Sequence, residues 1–342
     1  YVERQAAAGD KMTDMWLEMG RSGFLGVNLP EEYGGGGGGM ADLAAVLEEC
    51  ATAGAPLLMM VVSPAICGSI IVRCGTEEQK RRWVPGLADG TLLMAFGITE
   101  ADAGSNSHQI TTTARRDGDE WTLNGQKTFI SGVDEAQSVL IVARTEDEKT
   151  GKLRPALFVV PTDTPGFSRS PIEMGWAAPE KQFTLFLDDV RLPHDALIGE
   201  QDGDLWQLFA GLNPERIMGA AMSCGIARYA LGRAVEYAKE RKVWKDQPIG
   251  THQGIAHPLA RIKIELEQAR LLWQKAAALC DAGDDFGAGD YAIMAKYAVG
   301  EIALRLRLVD HRLDRESHDA DEDRQALRAL HQRRAGLRVI EA

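Results

Sequence analysis

The spacing of apolar residues changes period twice along this chain, and that double change limits the folds open to it. Before about residue 91, "TDMWLEMGRSG" and "ADLAAVLEECATAG" repeat apolar residues at helical spacing, and each closes on a glycine. "TEEQKRRWVPGLADG" adds a Thr76/Gln79 capping box, the signature of a helix start. From about residue 91 to near Glu200 the runs "TLLMAFGIT", "ITTTARRDGDEWTLNGQKTFIS", "QSVLIVART", "PALFVVPTD" and "FTLFLDDVRLP" read as strands separated by turn residues. The Asn124-Gly125 pair between apolar runs predicts a hairpin turn. The helical period then returns in "PERIMGAAMSCGIARYALGRAVEYAKERK", "HPLARIKIELEQARLLWQKAAALCDAG" and "YAIMAKYAVGEIALRL". Long helices with short connections predict an antiparallel bundle. The expected class is α+β and multidomain. It comprises an N-terminal helical domain (1–92), a middle antiparallel β-barrel-like domain (93–203), an incomplete C-terminal helical bundle (204–305) and a charged tail (306–342).

Composition narrows the function. The 342 residues carry a formal net charge of −12, which argues against a nucleic-acid binder, because such a protein needs a basic surface to displace counterions. The five cysteines, Cys50, Cys67, Cys74, Cys224 and Cys280, form no CxxC pair and read as reduced thiols. No run approaches the length of a membrane span, and no basic n-region precedes an apolar signal segment. The chain opens on Tyr1 without an initiator Met, so a fragment lacking an upstream helix is expected. No metal site is expected. "DADED" in the tail lacks the central Gly and closing Glu of a calcium loop, and nothing fixes the geometry of His311 and His318. The tail reads as a solvated helix or a disordered segment.

Three stretches invite a chemical reading. Six glycines in "PEEYGGGGGGM" form a flexible surface loop rather than a phosphate loop, since no Gly-Lys-Ser/Thr follows. "AFGITEADAGSNS" (95–107) leaves a strand for a Gly/Ser turn whose N–H groups, with the Thr99 and Ser105 hydroxyls, suit either a plain connection or a flat heterocycle or phosphate. In "NGQKTFISG" (124–132), Phe129 and Ser131 alternate along a strand. They read as core, or as a stacking ring and a hydroxyl donor suited to an isoalloxazine. In "AGLNPERIMGAAM" (210–222), Asn213 is a good N-cap, Pro214 fits the first helical position, and Glu215 complements the dipole of the first turn. That glutamate either tunes a helix end or serves as a base.

Taken together, the blocks "GFLGVNLPEEYGG", "AFGITEADAGSNS", "WTLNGQKTFISG", "FLDDVRLP", "GLNPERI" and "ERKVWKDQPIGTHQGIAHPLA" occur in an order that resembles the acyl-CoA dehydrogenase family over residues 15 to 305. The resemblance implies an N-terminal helical domain, a middle β domain and a C-terminal bundle. It also implies FAD bound between the β domain and the bundle, with the nucleotide end reaching a neighbouring subunit. By matched position, Phe96, Ile98 and Thr99 would contact the flavin ring, and Gly104 and Ser105 the pyrophosphate and neighbouring thioester. Phe129 stands where many members have Trp, and Ser131 where they have Thr. By the same matching, Arg241, Trp244 and Gln253 correspond to FAD contacts made partly across a dimer, although the spacing from Trp244 to Gln253 is one residue longer than the family pattern.

The resemblance also bears on Glu215. Family members carry the base that takes the α-proton either in a "YEGT"-like loop near the C-terminus, absent here, or in the first turn of the first bundle helix. "LNPER" puts Glu215 at the second site, with Asn213 and Arg216 helping to hold the pantetheine arm. A carboxylate in a water-poor pocket there would have its pKa raised toward working pH. The implied reaction is α,β-dehydrogenation of an acyl-CoA to a trans-2-enoyl-CoA in a homodimer or homotetramer, with electrons passing to electron-transfer flavoprotein. Two alternatives stay open: an oxygen-using oxidase or monooxygenase of the superfamily, and an inactive remnant acting as a binding subunit. No "GGxG" turn is recognisable after Leu306, so this end is expected to be non-native to the family, with weakened FAD affinity and assembly. The implied location is the bacterial cytoplasm, or the mitochondrial matrix in a eukaryote.

Overall fold

The computed structural model describes residues 1–146, 150–175, 180–199, 205–244 and 246–313. The end of the β block at Glu200 and the tail from residue 314, with His318 and "DADED", lie outside them. Among the described residues the chain divides into two compact units, one of residues 1–37 and 58–212, the other of 38–57 and 213–313.

The first unit opens with helices α1 (Val2–Ala8) and α2 (Thr13–Arg21). No side chain of its own turn caps α2; instead Glu135, distant in sequence, accepts from Met12 N at 3.0 Å and Trp16 Nε1 at 3.1 Å. This carboxylate complements the positive end of the helix dipole. The glycine run is at the surface, as read, but it is bonded in place. The amides of Gly34, Gly35, Gly36 and Gly37 donate to the carbonyls of Glu31, Pro30, Gly26 and Leu29 at 2.9–3.0 Å. At Gly35 a Cβ would meet the Leu29 carbonyl oxygen at 2.1 Å, so this turn needs glycine for close approach rather than flexibility.

In the second unit, α3 (Met40–Thr52) follows; its first amides, of Met40 and Ala41, donate to Asp281 at 2.6 and 3.1 Å. The first unit resumes with α4 (Leu58–Met60), which runs through a π-helical segment (Val61–Gly68) into α5 (Ser69–Cys74). Then α6 (Glu77–Asp89) starts on the expected capping box. Gln79 N donates to Thr76 Oγ1 at 3.3 Å, and Thr76 N to Gln79 Oε1 at 2.9 Å.

Seven strands complete this unit: β1 (Met94–Gly97), β2 (Thr113–Asp117), β3 (Glu120–Ser131), β4 (Ser138–Glu146), β5 (Leu153–Pro161), β6 (Phe167–Ile172) and β7 (Gln182–Pro193). They form one sheet in the order β1-β4-β2-β3-β7-β6, with β5 also on β4. The sheet is mixed: β1 and β2 both run parallel to β4, where the strand-and-turn pattern predicts antiparallel neighbours. The reason is connectivity, because the long 98–112 loop carries the chain away from β1 before β2 begins. The predicted hairpin turn at Asn124-Gly125 is not a turn. β3 passes straight through it with a register shift, Asn124 Nδ2 donates to Asp189 Oδ1 on β7 at 2.9 Å, and the β2–β3 reversal is at Gly118 (φ +61°). β6 escaped the sequence reading because it is an edge strand with little buried surface and so no apolar alternation.

Helix α7 (Leu205–Glu240) begins two turns before Asn213, so Asn213 is not an N-cap and Glu215 lies in the third turn, not the first. Pro214 therefore sits inside the helix, where its ring removes one ladder donor. The bundle unit continues with a small hairpin, β8 (Lys242–Trp244) and β9 (Gln247–Pro248), then α8 (Gln253–Asp281) and α9 (Asp285–Leu313). Leu259, Ile262, Leu266, Ala269, Trp273 and Ala276 line the buried face of α8, and Ala288, Ala292, Ala295, Val299 and Ile302 that of α9. Small residues at helical spacing let α9 pack closely.

Candidate functional site

In the β-containing unit, β1 delivers Phe96, Ile98 and Thr99 to the start of the 98–112 loop. Phe96 lies opposite Leu140 of β4, and all three are half-buried. A buried ion pair holds this loop. Lys127 of β3 has no solvent exposure; its Nζ donates to Glu100 Oε1 at 2.8 Å and to the Ile98 carbonyl at 3.1 Å. Glu100 also accepts from the amides and hydroxyls of Thr111 (2.6 and 2.8 Å) and Thr112 (3.0 and 2.6 Å). Desolvation pushes the Glu100 carboxyl up, but the bonds from Lys127, Thr112 and Thr111 outweigh it and hold it at about 2. Burial pulls the Lys127 ammonium down to about 8 against the opposing hold of Glu100. A single carboxylate thus closes both ends of the loop that carries Thr99, Gly104 and Ser105.

Next to Lys127, β3 bulges. Between Lys127 and Ile130 it inserts an extra residue relative to β7, and Phe129 takes φ +56°. A non-glycine residue in that region is uncommon. The result is a phenyl ring 60% exposed, beside a strand whose neighbours Lys127 and Ile130 are buried. Ser131 does not present a free hydroxyl, since its Oγ donates to Gln182 Oε1 at 3.0 Å and accepts from Gln182 Nε2 at 2.9 Å. Ser105 is the opposite case: its Oγ is buried and has no hydrogen-bond partner. A buried hydroxyl without a partner costs free energy unless a ligand completes it. The unpartnered Ser105 hydroxyl and the exposed Phe129 ring are each of a kind that FAD could engage, the one by hydrogen bonding and the other by stacking.

In the bundle unit, Asn213 is 4% exposed and its Nδ2 donates to the Asp285 carbonyl at the start of α9 at 2.8 Å. Its Oδ1 accepts from Arg216 Nη1 at 3.2 Å. Glu215, on the next residue but one, accepts from Lys296 Nζ of α9 at 3.2 Å, a partner that sequence reading missed because 81 positions separate the two. Arg241 and Trp244 belong to the connection between α7 and α8, and Gln253 to the start of α8. Arg241 ends the helix and its carbonyl accepts from Ile249 N at 2.8 Å, Trp244 pairs with Gln247, and exposed Gln253 opens α8. Among the described residues no helix is long and apolar enough to cross a membrane, and no group of His, Cys, Asp and Glu could hold a metal ion.

Models of the acyl-CoA dehydrogenase N-terminal, middle and C-terminal domains match residues 1–91, 95–190 and 207–307. The chain belongs to the acyl-CoA dehydrogenase family. That family consists of flavoprotein oxidoreductases of fatty acid metabolism. Among acyl-CoA dehydrogenases of known sequence, FadE12 of Mycobacterium tuberculosis strain H37Rv is 64% identical over 305 residues, covering 89% of this chain and 78% of the relative. Butyryl-CoA dehydrogenase from Megasphaera elsdenii superposes with a TM-score of 0.84 at 30% identity, covering 92% of this chain and 82% of that one. A glutaryl-CoA dehydrogenase from Mycobacterium smegmatis, solved in complex with FADH2, gives 0.80 at 30% identity, covering 90% and 78%. The order of helical, β-sheet and helical domains read from the sequence is the order of this family.

Proposed function

We propose that this acyl-CoA dehydrogenase uses FAD to convert an acyl-CoA thioester to the trans-2-enoyl-CoA, with Glu215 as the base. FAD, when bound, supplies the acceptor for the β-hydride. Glu215 takes the α-proton, the α,β double bond forms, and the two hydrogens leave as one proton and one hydride. The observation that carries the reading is the placement of Glu215 within a family whose members dehydrogenate such thioesters. It lies two residues from Asn213, a buried side chain tied to the α9 backbone, which gives the carboxylate a rigid mount. A base so placed contributes roughly 10²–10⁴-fold to the rate.

On this reading Phe96, Ile98, Thr99, Phe129 and Ser131 would hold the flavin ring. Gly104 and Ser105 would hold the pyrophosphate and thioester, which would give the Ser105 hydroxyl a partner. Asn213 and Arg216 serve the pantetheine arm; Arg241, Trp244 and Gln253 hold FAD, partly in a second copy of a homodimer or homotetramer. Electron-transfer flavoprotein is the proposed acceptor, and the cytoplasm the proposed location.

The test is reconstitution with FAD followed by a panel of acyl-CoA thioesters. A product two hydrogens lighter, formed without air and with slow flavin reoxidation when air is admitted, supports the proposal. Rapid peroxide formation would assign the chain to the oxidases instead, and a protein that stays colourless after reconstitution would make it a binding subunit.

A further inference from the structure

Helices α7 and α9 run side by side in the same direction. Gly289 of α9 lies against Asn213, where a Cβ would come within 3.3 Å of Oδ1, and seven residues later Lys296 lies against Gly219, where a Cβ would come within 3.8 Å of Cε. Side chains of a helix lean toward its N-terminus. Lys296 reaches in that direction: its Cε passes beside Gly219, and its Nζ, one bond further on, meets Glu215 Oε1 at 3.2 Å.

From this geometry we infer that Lys296 is a positioning residue for Glu215, holding the carboxylate in one rotamer for proton abstraction. The inference rests on Glu215 being the base. About one third of each side chain is exposed (33% and 36%), and ion pairs of that kind contribute little to folding stability. The effect of the pair is instead to restrict the three side-chain torsions of a glutamate that has to be aimed at a single C–H bond. Misplacing a reacting group by about an ångström costs on the order of a hundredfold in rate. Lys296 exchanges no proton: the α-proton moves from carbon to Glu215, and the hydride moves to the flavin.

The experiment compares Lys296→Met, Lys296→Arg and Glu215→Gln in the FAD-loaded full chain with an acyl-CoA that the parent protein oxidises. Lys296→Met is expected to lower kcat by roughly tenfold to a hundredfold. KM, flavin absorbance and the thermal midpoint should stay near those of the parent, and the kinetic isotope effect from α-deuteriated substrate should rise as proton abstraction becomes more limiting. Lys296→Arg should recover most of kcat. An unchanged kcat and isotope effect in Lys296→Met would overturn the inference, and so would joint loss of flavin absorbance and folding in both lysine variants. If Glu215→Gln keeps full turnover, the assignment of the base fails and this inference with it. If Glu215→Gln is inactive while Lys296→Met works at the parent rate, only the role of Lys296 fails.

Discussion

Lys127 and Glu100 form a buried ion pair at 2.8 Å that joins β3 to the loop beyond β1. Neither partner has appreciable contact with solvent, at 0% and 7% side-chain exposure. Removing one charge strands the other in the interior, and that costs about 3–5 kcal/mol in comparable buried pairs. Lys127→Met should therefore be strongly destabilising in urea unfolding. The double variant Lys127→Met/Glu100→Gln should recover part of the loss, because the two substitutions share one interaction. Equal stability of the single variant and the parent would mean that the pair is not buried as described.

The same carboxylate gives a pH signature. In the folded chain Glu100 stays ionised down to about 2, against an ordinary value of 4.5. Its contribution to stability is complete above the ordinary value and is lost as the pH falls from there through about 2. The stability gap between the parent and Glu100→Gln should therefore narrow across that interval, as read from urea unfolding at a series of pH values. A gap that stays constant would contradict the hold that Lys127, Thr111 and Thr112 exert.

Gly132 ends the strand that carries Phe129 and Ser131. It has φ +66°, and a Cβ would lie 2.4 Å from Met59 Sδ. Gly23 shares the left-handed backbone (φ +76°) but has nothing within 4 Å. Gly23→Ala should cost about 1–2 kcal/mol for backbone strain alone. Gly132→Ala should cost about 1–3 kcal/mol more, since Met59 has to move as well. Thermal unfolding of the two variants side by side measures the difference.

What was legible in the sequence was local. The Thr76/Gln79 capping box could be read because both partners sit within one turn, and the β runs because burial imposes a period of two. The Asn124-Gly125 pair misled because its chemistry is spent elsewhere. Asn124 reaches across to Asp189, and Gly125 is needed where a Cβ would lie 2.4 Å from Thr112 Oγ1. The start of α7 was misplaced for a similar reason: Asn213 has the chemistry of a cap, but its Oδ1 accepts from Arg216 and its Nδ2 donates to the Asp285 carbonyl, while the apolar turns from Leu205 extend the helix ahead of it. Lys127–Glu100 and Lys296–Glu215 could not be read at all. A charge in a sequence gives no sign of its partner until strand register or helix packing brings the two together.

The most direct measurement is an anaerobic titration of the FAD-loaded protein with an acyl-CoA thioester, followed by the visible absorbance of the flavin, for the parent and for Glu215→Gln. The account predicts that the parent's flavin bleaches while Glu215→Gln binds FAD and thioester yet keeps its colour. Bleaching of both at the same rate would contradict it.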